Sequence, residues 1–302
     1  MKIKKISQQL LKSFIMLFLL TTLVLLFTHR EIKKLSHQYS KLLQEQLGAP
    51  ILHDQIALKL KTYAAEDRNG PIKLIRLGKN NDGGYLAPIT ALEASEFLVG
   101  YGIADDASFE ENFSRKFNKP SYGFDCGVNY RSKTIGFTFI KECIASDKTL
   151  YSKNRSNKKL STFEKQLIAL GLQNRPIFIK MDIEGSEYSA FESIYGHFNQ
   201  ITGIVLEIHL FDLGMKERSI ELLEKLNANF VLLNVHGNNF GLASGFYSKY
   251  AEGKLPSAIE LTYINKNLVK SYHLAPRLQS HPSLLDMPNN AMMADAKFKI
   301  LG

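Results

Sequence analysis

From Ile72 onward the chain alternates short apolar runs, rich in β-branched and aromatic residues, with stretches of helical periodicity. The runs "EFLVGYG", "SYGFDCG", "TIGFTFIKECIAS", "PIFIKMD", "ITGIVLEIHLF", "NFVLLNVHGNN" and "AIELTYIN" read as strands. Between them "SFEENFSRKF", "STFEKQLIALGL", "SEYSAFESIYGHF" and "KERSIELLEKLNA" read as helices. A strand that is apolar along its whole length needs cover on both faces, so these are parallel strands between two layers of helices. The expected fold is therefore α/β, a mostly parallel, doubly wound sheet whose ligands bind beyond the carboxyl ends of the strands. Ser108 is the expected N-cap of the first of these helices, with Glu110 and Glu111 in its first turn.

The first residues follow a different pattern. Lys2, Lys4, Lys5 and Lys12 precede an uncharged apolar run from Ser13 to Thr28. With Leu10 and Leu11 this run approaches the roughly 20 residues a membrane-spanning helix needs. No small-x-small cleavage site follows it. Residues 1–30 are thus expected to be a transmembrane anchor, which makes the protein a single-pass membrane protein. Arg30, Lys33, Lys34 and Lys41 balance the leading lysines and leave open the side on which the main domain lies. Residues 31–70 read as a helical stem, or equally as a prelude packed on the domain; 71–267 form the main domain and 268–302 an irregular tail.

With 45% hydrophobic and 22% charged residues, the remainder fits one domain with a sizeable core. The net charge of +9 lies largely near the N-terminus and between Lys148 and Lys159, without interleaved aromatics, so nucleic acid is not an expected partner. Two cysteines, Cys126 and Cys143, are too few for a disulfide-built exterior domain.

The carboxyl ends of the strands carry the chemistry. The first ends in "GYGIADD", where Gly100 and Gly102 allow close backbone approach and Asp105 lies in the turn. The second ends at Asp125, placed to accept ribose hydroxyls. The fourth ends at Asp182, the fifth at Glu207 and His209, and the sixth at His236 before Asn238 and Asn239. For Glu187, just inside the following helix, complementing the helix dipole is the preferred reading.

In this order "FLVGYGIADDASFEENF", "YGFDCG", "FIKMDIEGSEY" and "LEIHLF", with "NDGGYLAP" upstream, resemble the FkbM-type methyltransferases, near a membrane-anchored branch. The resemblance implies a Rossmann-like class I methyltransferase fold, S-adenosylmethionine as methyl donor and an oxygen as acceptor. It places Gly100 and Gly102 at the methionine moiety, Asp125 at the ribose, Ser146 and Asp147 near the adenine, and Asp182 at the donor–acceptor junction. Ala104 stands where a third glycine is common, and Ala107 where a bulky aromatic is expected.

A methyl acceptor oxygen must be aligned and lose its proton, and histidine suits that transfer. His209 is the first choice as base and His236 the second, with Asp182 and Glu207 orienting either. Alternatively Asp182, His209 and His236 hold a divalent metal that positions a diol, a reading weighed but not favoured. The expected substrate is a hydroxyl-bearing molecule, such as a glycan or a lipid-linked sugar, with the membrane as partner through the N-terminal helix. The rival readings are a membrane-anchored glycosyltransferase using a nucleotide sugar, with "MDIEG" as its acidic corner, and a catalytically silent membrane scaffold.

Overall fold

The computed structural model describes residues 31, 52–152, 159–242, 255–275 and 285–296. The chain divides into units 1–51 and 52–302, and every element named here belongs to the second. A helix over 52–59 (α1) leads into β1 (Tyr63–Asp67), β2 (Gly70–Pro71), the hairpin of β3 (Leu74–Leu77) and β4 (Tyr85–Pro88), and α2 (Ile89–Ala94). Then come β5 (Phe97–Tyr101), α3 (Ser108–Phe117), β6 (Ser121–Phe124) and β7 (Phe137–Ile140). The short strands β8 (Cys143–Ile144) and β9 (Leu160–Ser161) flank α4 (Asp147–Ser152), and α5 (Phe163–Leu170) follows. The chain continues through β10 (Ile177–Met181), α6 (Glu187–Glu192), β11 (Ile201–His209), α7 (Leu213–Asn229), β12 (Phe230–Gly237), β13 (Ala258–Asn265) and β14 (Ser271–Leu274).

All seven expected strands join one sheet, in the order β12-β13-β11-β10-β5-β6-β7. β5, β6, β7, β10 and β11 pair in parallel, whereas β13 runs antiparallel to both β11 and β12. The chain starts at β5, moves outward through β6 and β7, then crosses back to β10. The crevice where strand order reverses therefore opens between the ends of β5 and β10.

Alternation along the strands explains why the sheet needs two covers. Val99, Ile179 and Ile204 join a cluster with Ile56, Phe163, Leu167, Phe191 and Leu222 from the helices of one face. Their neighbours Leu98, Phe178 and Val205 join Tyr85, Leu92, Phe109 and Phe113 on the other. In α3, Phe109 and Phe113 are buried four residues apart while Glu111 and Arg115 pair on the outer face. Each buried phenylalanine contributes about 1.5–3 kcal/mol. The expected N-cap is corrected: Ser108 is the first helical residue and Ala107 the cap, without a side-chain bond. The Ser108 N–H donates to Asp106 Oδ1 instead, at 3.0 Å.

Among the described residues no helix is long and apolar enough to cross a membrane. This corrects the expected single-pass membrane localisation; the run Ser13–Thr28 on which it rested lies outside the described residues. Of the residues expected to form a stem, Ile56 of α1 and Leu60 just after it are buried in the core, and β1 pairs with β14. Within the expected tail, residues 285–296 lie near the carboxyl edge, where Asn289 donates to Glu260 Oε1 and Asn290 N to Asn239 Oδ1.

Candidate active site

The turn after β5 is shaped by what cannot fit there. Gly102 has φ +78, and a Cβ on it would collide with the carbonyl oxygen of Asp182. A Cβ on Gly100 would strike the carboxylate of Glu110. Gly102 lets the ends of β5 and β10 close together, and Gly100 lets α3 pack down on β5. Below the turn, the buried Lys180 ammonium donates to Gly102 O at 3.0 Å. Ala104 adopts φ +44, the left-handed region a glycine would occupy without cost. Asp105 is exposed in the same turn.

At the end of β6, Asp125 accepts from Ala104 N through Oδ2 (2.9 Å) and from Gly127 N through Oδ1 (2.7 Å). It thus ties the glycine turn to the neighbouring strand and, having about four lone-pair sites, keeps acceptor capacity. The two cysteines, from which no exterior domain was expected, are bonded to each other across this rim: Cys126 follows Asp125 and Cys143 opens β8. Ser146 is buried, with its Oγ 3.1 Å from Thr149 Oγ1, while Asp147 is exposed at the start of α4.

On the other side of the crevice the structure gathers carboxylates around one imidazole. Glu207 and His209 lie two residues apart on β11 and so share a face, and Asp182 continues β10 beside them. His209 Nε2 lies 3.3 Å from Glu184 Oε2, 3.4 Å from Glu207 Oε1 and 4.0 Å from Asp182 Oδ1. Its Nδ1 is taken by Glu187 Oε1 at 2.5 Å, and the same oxygen accepts the His209 backbone N–H. Glu187 stands in the first turn of α6, as expected, but it is buried and its carboxylate also holds His209. The apolar stripe of α6 shows why: Glu187 is in register with buried Phe191 and Ile194, so it points inward.

Each member is held from behind. Tyr85 OH donates to Asp182 Oδ2 at 2.9 Å, and Asn238 Nδ2 donates to Glu207 Oε1 at 3.1 Å. The oxygens left over, Asp182 Oδ1, Glu187 Oε2 and Glu207 Oε2, are buried without a hydrogen-bond partner. Burial, with the charges of Asp182, Glu260 and Asp82, pushes the Glu207 carboxyl well above the usual carboxylate range. Burial alone would lower the His209 pKa, but the hydrogen bond and charge of Glu187, with Asp182 and Glu184, raise it above the ordinary histidine value. The corner itself needs two consecutive left-handed residues, Glu184 (φ 54) and Gly185 (φ 89).

His236 is not in this group. Its Nδ1 is 2.9 Å from Glu260 Oε2 and its Nε2 is 3.0 Å from Asp295 Oδ1, so both ring nitrogens are engaged. The unfavoured alternative of a metal held by Asp182, His209 and His236 therefore lacks its third ligand: among the described residues, the donors within 4.8 Å of one another are Asp182, Glu207 and His209. Asn239 holds the chain segment at Asn290, Met293 and Ala294. Tyr85, Asn289 and Asp295 escaped the sequence reading. For Tyr85 the signal was the "NDGGY" hairpin, whose Gly83 (φ +84) allows the turn that brings the ring to Asp182.

A family model, the methyltransferase FkbM domain, matches residues 52–232. No curated protein matches the sequence. Among solved structures, a ribosomal RNA methyltransferase from Plasmodium falciparum aligns over 59% of this chain and 90% of its own, at 12% identity and a TM-score of 0.35. A likeness that faint carries no argument about this chain.

Proposed function

The chain belongs to the methyltransferase FkbM family, and from that premise we propose that it moves a methyl group from S-adenosylmethionine to a hydroxyl oxygen. One observation carries the proposal: the glycine turn and the carboxylate–imidazole centre abut. Asp182 N donates to Tyr101 O at 3.1 Å, and the Asp182 carbonyl fills the space a Gly102 side chain would need. A donor seated on the turn would present its reactive end to an acceptor held at Asp182, Glu207 and His209.

The residues of the turn fit the donor. The part-exposed backbone at Gly102, with Gly100 buried beneath it, suits the methionine end, and the spare lone pairs of Asp125 suit two ribose hydroxyls. When bound, S-adenosylmethionine supplies a methyl group already activated on a sulfonium sulfur. What remains for the protein is alignment of the acceptor oxygen and removal of its proton at the carboxylate–imidazole centre. The braces from Tyr85, Glu187 and Asn238 fix that centre before substrate arrives, which is how orientation becomes rate. Family membership weighs against both the nucleotide-sugar transferase and the silent scaffold.

Incubation with methyl-tritiated S-adenosylmethionine and a panel of hydroxyl-bearing acceptors tests the proposal. Label in an alkali-stable ether is the expected product. Label found only on nitrogen, sulfur or an alkali-labile ester, or uridine diphosphate bound in preference to S-adenosylhomocysteine, would overturn it.

A further inference from the structure

The acceptor centre has a feature that methyl transfer alone does not require. Glu207 is 3% exposed, and its Oε2 has no protein partner. As a carboxylate it would be a buried charge only half compensated; as an acid its O–H would lack an acceptor. Either state costs free energy unless something else occupies the site. Asp182 Oδ1, equally without a partner, is the atom that faces His209 Nε2.

From this arrangement we infer that Asp182, Glu207 and His209 form a divalent-cation site. Two of the spacings agree with one, and all three donors lie within 4.8 Å of one another. A six-coordinate ion with bonds of roughly 2.1 Å puts its ligand atoms about 3.0 Å apart when adjacent and about 4.2 Å when opposite. His209 Nε2 is 3.4 Å from Glu207 Oε1 and 4.0 Å from Asp182 Oδ1, inside that interval. The outer contacts agree as well. A ligating histidine gives its second ring nitrogen to a carboxylate, and ligating carboxylates are themselves hydrogen-bonded. Glu187, Tyr85 and Asn238 do this for His209, Asp182 and Glu207 in turn. Two carboxylates with one imidazole favour a first-row ion such as Mn(II).

Three protein donors leave coordination positions open toward the crevice. Two neighbouring hydroxyls of one acceptor can fill them, so the substrate class becomes a vicinal diol. This last step rests on the proposed O-methyl transfer; the cation site does not.

The test titrates Mn(II) into chelator-treated full-length protein and follows the free-ion electron paramagnetic resonance signal, with S-adenosylhomocysteine binding measured calorimetrically on the same sample. We expect one Mn(II) per chain. Glu207→Gln and Asp182→Asn should each weaken Mn(II) binding at least tenfold while S-adenosylhomocysteine affinity stays within twofold. Circular dichroism identifies a variant that has lost its fold, and the other then decides. No saturable Mn(II) binding, or binding that both folded variants retain, overturns the cation site even if S-adenosylhomocysteine still binds. Mn(II) bound at these residues without S-adenosylhomocysteine binding would support the site and count against the cofactor reading instead.

Discussion

His209 and His236 lie at the same edge of one sheet, two strands apart, both buried and both flanked by carboxylates. His236 has a protein partner on each nitrogen, and one of them, Asp295, comes from far along the chain. His209 has Glu187 behind it and, in front, the exposed Glu184 at 3.3 Å and a crevice that holds the unpartnered Asp182 Oδ1 and Glu207 Oε2. The first arrangement is complete and serves to hold the segment around Asp295 on the sheet. The second is incomplete until a ligand arrives. A buried histidine beside an acid is thus not evidence of chemistry; an unfinished coordination sphere is.

The contrast can be broken most sharply at His209. His209→Ala should slow methyl transfer by roughly a hundredfold or more while leaving the fold intact. Turnover by the variant within threefold of wild type would place the chemistry elsewhere.

At His236 the loss should appear in stability. His236→Gln leaves Glu260 and Asp295 without their common partner and should cost about 3 kcal/mol in urea unfolding. A loss below about 0.5 kcal/mol would mean that the buried cluster is not structural.

Glu187→Gln tests the brace rather than the imidazole itself. Turnover should fall roughly tenfold, with S-adenosylhomocysteine affinity unchanged. An unchanged rate would remove Glu187 from the centre.

The structural histidine also predicts a pH signature. Burial alone would lower the His236 pKa, but the bonds to Asp295 and Glu260 and the charges of Glu260 and Asp286 raise it to about 10. Because the folded value lies above the unfolded one, its stabilisation is full below about pH 6.5 and is lost as pH rises through about 10. The stability difference between wild type and His236→Gln should therefore shrink across that window. A difference that stays constant would mean the imidazole is not held protonated.

The smallest effect belongs to the turn. Ala104→Gly relieves a left-handed alanine and should raise stability by up to about 1 kcal/mol, net of the added unfolded-state entropy. A destabilised variant would show that the turn gains more from the side chain than it loses to its φ.

The strands were legible because runs such as Ile177–Met181 and Ile201–His209 are buried along their whole length, and burial on both faces leaves an unbroken apolar signature. Gly102 and Asp125 were legible for a related reason: the fold uses strand ends as sites, so position along the chain sets position in space. Glu260 and Asp295 were not, because they reach the edge from elements far apart in sequence, and no local pattern records such meetings; for Tyr85 the hairpin was visible but its meeting with Asp182 was not. His236 and His209 each end a strand, and only the tertiary partners separate them. The first-turn place of Glu187 was legible and its bond to His209 was not, because that bond depends on a strand brought in from elsewhere in the chain.

On the proposed function, the carboxyl edge divides into a cofactor side at Asp125 and an acceptor side at His209. Calorimetric titration of the full-length protein and two variants with S-adenosylhomocysteine tests this most directly. The expected result is saturable binding by wild type, at least tenfold weaker binding by Asp125→Ala, and binding by His209→Ala within twofold of wild type. Equal loss in both variants, or no binding by folded wild type, would contradict it.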